Sequence, residues 1–218
     1  MITQHKNSLT GEPFFLWDRS GAEPVRLRRV SGGVGWPSKG RPGFLVVVGE
    51  ESAANPDFPD MRTLHVVREA PDWLGANFLG VPSMLQAMTD IRRVDRVAEW
   101  WGEDRPEFYP ELRAHNRAQA GRRLPPVRIL APRDTVTPEW LAMRVHLRTS
   151  AQKTLFFHQS DATRAALSAL GRDLSDVTWS TAPEVTALLM ALSPLETRRG
   201  EGDGPRGRWA PADGVAGY

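Results

Sequence analysis

The chain contains no cysteine. Disulfides, thiolate metal sites and a cysteine nucleophile are thereby excluded, while compartment stays open, since a cytosolic protein needs none. Lysine is nearly absent too: of 28 cationic residues only those at 6, 39 and 153 are lysine, and the rest are arginine. Such a bias follows from a GC-rich genome as readily as from phosphate recognition. No apolar run approaches the roughly 18 residues that cross a bilayer. Residues 1–10 are polar and lack the apolar centre of a signal peptide. These features place the chain inside a cell, in the cytoplasm, with no membrane partner.

Several chemical signatures are missing as well. The string GVGWPSKG at 33–40 has the residues of a phosphate loop in the wrong order, because its lysine follows Ser38 and no Ser or Thr comes after it. There is no Gly-x-Ser-x-Gly elbow for a serine hydrolase. Histidines at 5, 65, 115, 146 and 158 lack the spacing of a zinc site. His158 could serve as a proton shuttle near a strand end, or as a loop histidine bonded to backbone.

What is present is an ordinary globular composition: 218 residues, 40% hydrophobic and 25% charged, enough to bury a core. Charge is unevenly spread. Residues 19–41 hold six basic side chains against Glu23, and residues 113–133 hold six arginines and no acid. Between these blocks, residues 95–111 carry six acids against Arg96 and Arg105. Acid flanked by base suits a metal-dependent enzyme on a phosphate backbone, and alternating solvated surfaces look the same.

The run FLVVVGEE at 44–51 reads as a central strand covered on both faces that delivers carboxylates to its own end. Ahead of it, residues 1–12 read as a loose leader, 14–17 and 25–30 as a hairpin with a basic outer face, and 31–43, with five glycines and two prolines, as a loop. After it come a strand at 62–68, an amphipathic helix at 81–93 and a short strand at 96–101 whose Trp100 and Trp101 face opposite ways, packing in the core and against helices or offering one ring to stack a base or pack a substrate. A helix at 106–120, a strand at 126–130, a helix capped by Thr137, a strand at 154–157, a helix at 160–170 and an apolar helix at 181–195 complete the order. The expected fold is α/β, a mixed sheet with helices on both faces. A doubly wound fold competes, but its glycine fingerprint is missing. The divisions are 1–43, 44–196, and a tail at 197–218 dominated by glycine, proline and arginine.

Two-metal phosphodiester cleavage needs carboxylates that converge from different elements on Mg²⁺ or Mn²⁺. The candidates are Glu50 or Glu51 after the first strong strand, Glu99, Glu103 or Asp104 around the Trp-Trp strand, and Glu184 in the last helix.

This order of parts resembles the ribonuclease H-like nuclease domain of tailed-phage large terminase subunits, over residues 44–195. The most telling piece is KTLFFH at 153–158, followed by a leucine-rich helix, a spacer and ALLMAL at 187–192, which is similar to the family's late strand and final alanine-rich helix. The resemblance implies a ribonuclease H-like protein of phage or prophage origin that engages DNA. It would act either as a Mg²⁺- or Mn²⁺-dependent endonuclease or as an inactive derivative used in genome packaging. It further implies catalytic roles for Glu50, Glu103 and Glu184, metal ligation by these with Glu99 and Asp104, and phosphate contacts by Arg113, Arg122 and Arg123. The chain departs from the family pattern in STAPEVTA at 180–187, where Glu184 stands alone in place of a paired-aspartate motif, and in a first acid that is glutamate. It also lacks the ATPase half of a terminase. The other reading is a noncatalytic assembly protein whose basic hairpin and Gly-Arg tail bind partner subunits.

Overall fold

A computed structural model of the chain describes residues 1–19, 21–38, 40–58, 61–70, 80–97, 99–158, 162–169, 177–179 and 182–197. Its organising element is β4 (Phe44–Ala54), whose apolar side chains alternate between two cores. Phe44, Val46 and Val48 enter one, Leu45 and Val47 the other. A continuous valine-rich run is what a strand buried on both faces requires.

Four antiparallel pairings link β1 (Ile2–Lys6), β2 (Pro13–Trp17), β3 (Val25–Gly35), β4 and β5 (Arg62–Ala70) in sequence. Three parallel pairings complete the eight-stranded sheet: β8 (Leu155–Phe157) on β5, β6 (Trp100–Gly102) on β3, and β7 (Ile129–Leu130) on β6. One flank of β3 is therefore shared, with β2 beside Val25 to Leu27 and β6 beside Gly32 to Val34. The fold is α/β with a mixed sheet, as the sequence order implies.

Helices cover both faces. α1 (Val81–Asp95) contributes Val81, Met84, Leu85, Met88 and Ile91 to the core that holds Leu45 and Val47, and α2 (Tyr109–Gly121) packs behind it. These five are the apolar positions whose three- and four-residue spacing predicts the helix. On the other face lie α3 (Pro138–Ser150), α4 (Ala162–Ala169) and α5 (Pro183–Glu196). Thr137 caps α3 as predicted, its hydroxyl accepting from Trp140 N–H at 3.3 Å.

Several sequence expectations are corrected. The glycine-rich residues 31–35, expected as loop, continue β3, because their missing side chains admit close neighbours. A Cβ on Gly32 would lie 2.4 Å from the Trp100 ring, and one on Gly33 1.9 Å from the Ala187 carbonyl oxygen of α5. The expected loose leader instead supplies β1, tied down by Ile2, which is buried. The Trp-Trp strand starts at Trp100 rather than at 96, since Asp95 is held by the buried Arg68 and Arg96 ends α1 with φ of 56°. Val127 is not in β7 because both its backbone groups bond the Asn116 side chain, at 2.8 and 3.1 Å. Trp100 is the buried member of its pair and Trp101 is half-buried. The expected cap at Ser160 and Asp161 and the tail from 198 lie outside the described residues.

Candidate functional site

The predicted acids fall at two ends of the sheet. Glu50 on β4 stands opposite Arg29 of β3, and its buried carboxylate meets Arg28 Nε at 3.1 Å and Arg29 Nη1 at 3.9 Å. Gly102 of β6 stands opposite Val34, so Glu103 follows at the level of Gly35, six residues along β3 from Arg29. Six residues of strand span about 20 Å, whereas the ions of a two-metal centre sit about 4 Å apart. The expected convergence of Glu50 with Glu103 is thus not formed. The reason is register: these carboxylates follow apolar runs at opposite ends of the same sheet.

Glu103, Asp104 and Glu184 do share one end. Glu184 lies in the first turn of α5, next to Pro183, whose carbonyl oxygen sits 2.0 Å from where a Cβ on Gly35 would be. Glu103 is engaged by Arg105, with both Nε and Nη2 at 2.7 Å, and Asp104 accepts the Tyr109 hydroxyl. Glu99 precedes β6, half-buried, and its carbonyl accepts from Gly32 N–H at 3.4 Å. Among the described residues, no group of three His, Cys, Asp or Glu side chains is arranged to hold a metal ion.

The predicted arginines gather differently. Arg113 projects from α2 and Arg122 and Arg123 follow its last turn, all exposed. Beside them lies the end of α1, where Arg92 Nη1 donates to the Pro126 carbonyl at 2.8 Å. Burial, and then the nearby Arg128, pulls the Arg92 pKa down. His115, between α1 and α2, is lowered by burial first and by Arg122 next. Its ring meets Thr89 Oγ1 at 3.0 Å. Arg93 and Arg96 at the end of α1, Arg117 on α2 and Arg128 just before β7 are exposed as well, and none of these four, nor Arg113, Arg122 or Arg123, pairs with a carboxylate among the described residues.

A third cluster has only a faint trace in the sequence. The parallel pairing of β5 with β8 sets His65 opposite Phe156, and His158, just past β8, returns to place its Nε2 2.9 Å from His65 Nδ1. The other nitrogen of His65 faces Glu51 Oε1 at 3.5 Å. Trp17 closes over both rings, with centroids at 5.6 Å from His65 and 4.8 Å from His158. Arg19 lies over the Trp17 ring at 5.9 Å. Burial above all, opposed by Glu51 and reinforced by His158, pulls the His65 pKa down to about 4. His158 is lowered as well, by burial and then Arg19. Arg19 and Glu51 also line a cleft of about 520 Å³ with Glu23, Val25, Arg26 and Ser52. The run Leu-Phe-Phe-His was the sole hint of this site; the partner lies 93 residues away in sequence.

Compared with known proteins, the chain matches no protein-family model, no curated protein and no solved structure.

Proposed function

We propose that this chain is a DNA-engaging protein of ribonuclease H-like build that binds phosphates through the arginine face of α1 and α2 and does not cleave through a two-metal centre. Of the two forms that the resemblance implies, this is the inactive derivative. Three consecutive antiparallel strands, β3 to β5, extended in parallel by β6 and β7, support the ribonuclease H-like reading. The noncatalytic form is favoured because Glu50 lies far from Glu103, and because α5 rests on the glycines of β3, leaving no room there for an acidic side chain.

The observation that carries the proposal is the exposed set Arg113, Arg122 and Arg123, unpaired among the described residues, with Arg93, Arg96 and Arg128 nearby in the chain and likewise exposed. Surface arginines held apart from carboxylates keep their forks available to phosphate oxygens and release counterions on binding. Fluorescence anisotropy with a labelled duplex tests this. Affinity is expected to fall steeply with salt, and the double variant R122A/R123A to lower the log–log slope by about 2, one per lost phosphate contact. Absence of binding at low salt, or an unchanged slope in the variant, refutes the reading. Mn²⁺-dependent nicking of plasmid DNA by the full chain would refute its noncatalytic part.

A further inference from the structure

The cluster of Glu51, His65 and His158 is unused by a phosphate-binding face on α1 and α2, and its hydrogen-bond logic is unusually constrained. Two neutral imidazoles 2.9 Å apart share one proton between His65 Nδ1 and His158 Nε2. If His65 supplies it, His65 Nε2 turns a lone pair toward the Glu51 carboxylate, which is repulsive. If His158 supplies it, His65 carries its proton on Nε2 and directs it at Glu51. The carboxylate selects the second arrangement, as a second partner commonly fixes an imidazole tautomer. Proton polarity then runs inward along the chain and leaves one acceptor lone pair at its outer end, on Nδ1 of the exposed His158 ring.

Two further observations point to a ligand. His65 Nε2 is buried without a hydrogen-bond partner among the described residues, and its separation from Glu51 exceeds the 2.7–3.2 Å of a formed bond. Glu51 must close a short distance to complete the relay. The other side of Glu51 is the cleft, and there Arg19 turns Nε and Nη2 to the Glu23 carbonyl while its Nη1 makes no hydrogen bond among the described residues. Arg26 stands at the same cleft, stacked on Phe14. His158 is not a lining residue of the cleft, but it and Arg19 both lie against the Trp17 ring, at 4.8 and 5.9 Å from its centroid, and a guanidinium near a proton acceptor is the pairing that holds an anionic group while a neighbouring proton is removed.

We propose that Glu51, His65 and His158 form a proton relay whose outer nitrogen, His158 Nδ1, is the general base for a small hydroxylated substrate whose phosphate or carboxylate group is held by Arg19. The relay moves protons only. His158 takes the hydroxyl proton at Nδ1 and passes its Nε2 proton to His65 Nδ1. His65 in turn delivers its Nε2 proton to Glu51, and the substrate oxygen keeps the electron pair of its O–H bond.

Imidazole-nitrogen NMR on the full chain tests both halves. In the wild type, His158 is expected to show a protonated Nε2 with a bare Nδ1, and His65 a protonated Nε2. The opposite tautomer on either ring overturns the relay without any variant having to fold. Titration with inorganic phosphate in one arm and acetate in the other is expected to shift the His158 resonances saturably. Response to phosphate alone assigns a phosphorylated substrate, response to acetate alone a carboxylated one, and response to neither overturns the site. R19A is expected to weaken the responding anion at least about tenfold, the factor for one lost charge-assisted bond. Unchanged affinity in R19A overturns the anion assignment. Because R122A/R123A leaves this cleft untouched, failure here is distinguishable from failure of DNA binding.

Discussion

At the scale of single residues, the positions that matter most carry either no side chain or a buried titratable one. At Gly33 a Cβ would meet Ala187 O at 1.9 Å and Ala191 N at 2.4 Å, both of them backbone, so neither can rotate aside. Gly33→Ala is expected to cost about 1–3 kcal/mol or more, as overpacking does. Gly121→Ala, with nothing within 4 Å of its Cβ, is expected to be neutral or to stabilise by up to about 1 kcal/mol at the end of α2. Urea denaturation of both variants gives the comparison. His65 yields a pH dependence of definite sign. Its pKa is about 4 in the folded chain against 6.5 in the unfolded one, so between these values the unfolded chain binds the extra proton. Stability is fully present above about pH 6.5 and is lost as pH falls toward 4, by on the order of 3 kcal/mol. His115 and His158, also lowered, add to the same trend. Denaturation midpoints between pH 4 and 7 are expected to flatten in H65Q. None of this residue-level detail was legible in the sequence: Gly33 and His65 acquire their roles from Ala187 and His158, partners distant in the chain.

At the scale of elements, legibility followed the range of the forces involved. Where local chemistry decides, as in α1 with its apolar stripe and α3 with Thr137 and Pro138 at its start, the sequence reading and the structure coincide. The cap makes a quantitative case. Thr137→Ala removes the acceptor for Trp140 N–H and is expected to lower stability by about 1 kcal/mol, whereas Thr137→Ser retains it. Thermal unfolding of the pair checks this, and equal losses in both would show that the hydroxyl contributes nothing. Where tertiary partners decide, the reading failed. The glycines at 32, 33 and 35 look like loop residues until Trp100 and α5 are set against them, and β1 is recognisable only by its pairing with β2. The expected convergence of Glu50 with Glu103 failed for the same reason. A carboxylate at a strand end is visible in the sequence, but which end of the sheet it occupies is a matter of register, and Glu50 and Glu103 took opposite ones.

At the scale of the whole molecule, one sheet divides two cores, and β4 belongs to both. The α/β class and the helices on both faces follow from the order of apolar runs, which the sequence carries openly. The shared flank of β3 does not follow from it, and that fork has a consequence in time. Along this flank the stretch Val25 to Leu27 finds β2 close by in the chain, whereas Gly32 to Val34, paired with β4 on the opposite flank, must wait for Trp100 to Gly102 and for α5, about 70 and 150 residues further on. Local pairing precedes distant pairing because loop closure costs less. During synthesis, one end of this flank is therefore closed by β2 while its glycine end, paired with β4 on the opposite flank, still lacks β6. Pulse-labelled hydrogen exchange during refolding is expected to protect the amides that join β2 and β3 before the amide of Gly32, which bonds the Glu99 carbonyl beside β6, and simultaneous protection would contradict it. Segments made much later in the chain then close the glycine end of the first long strand.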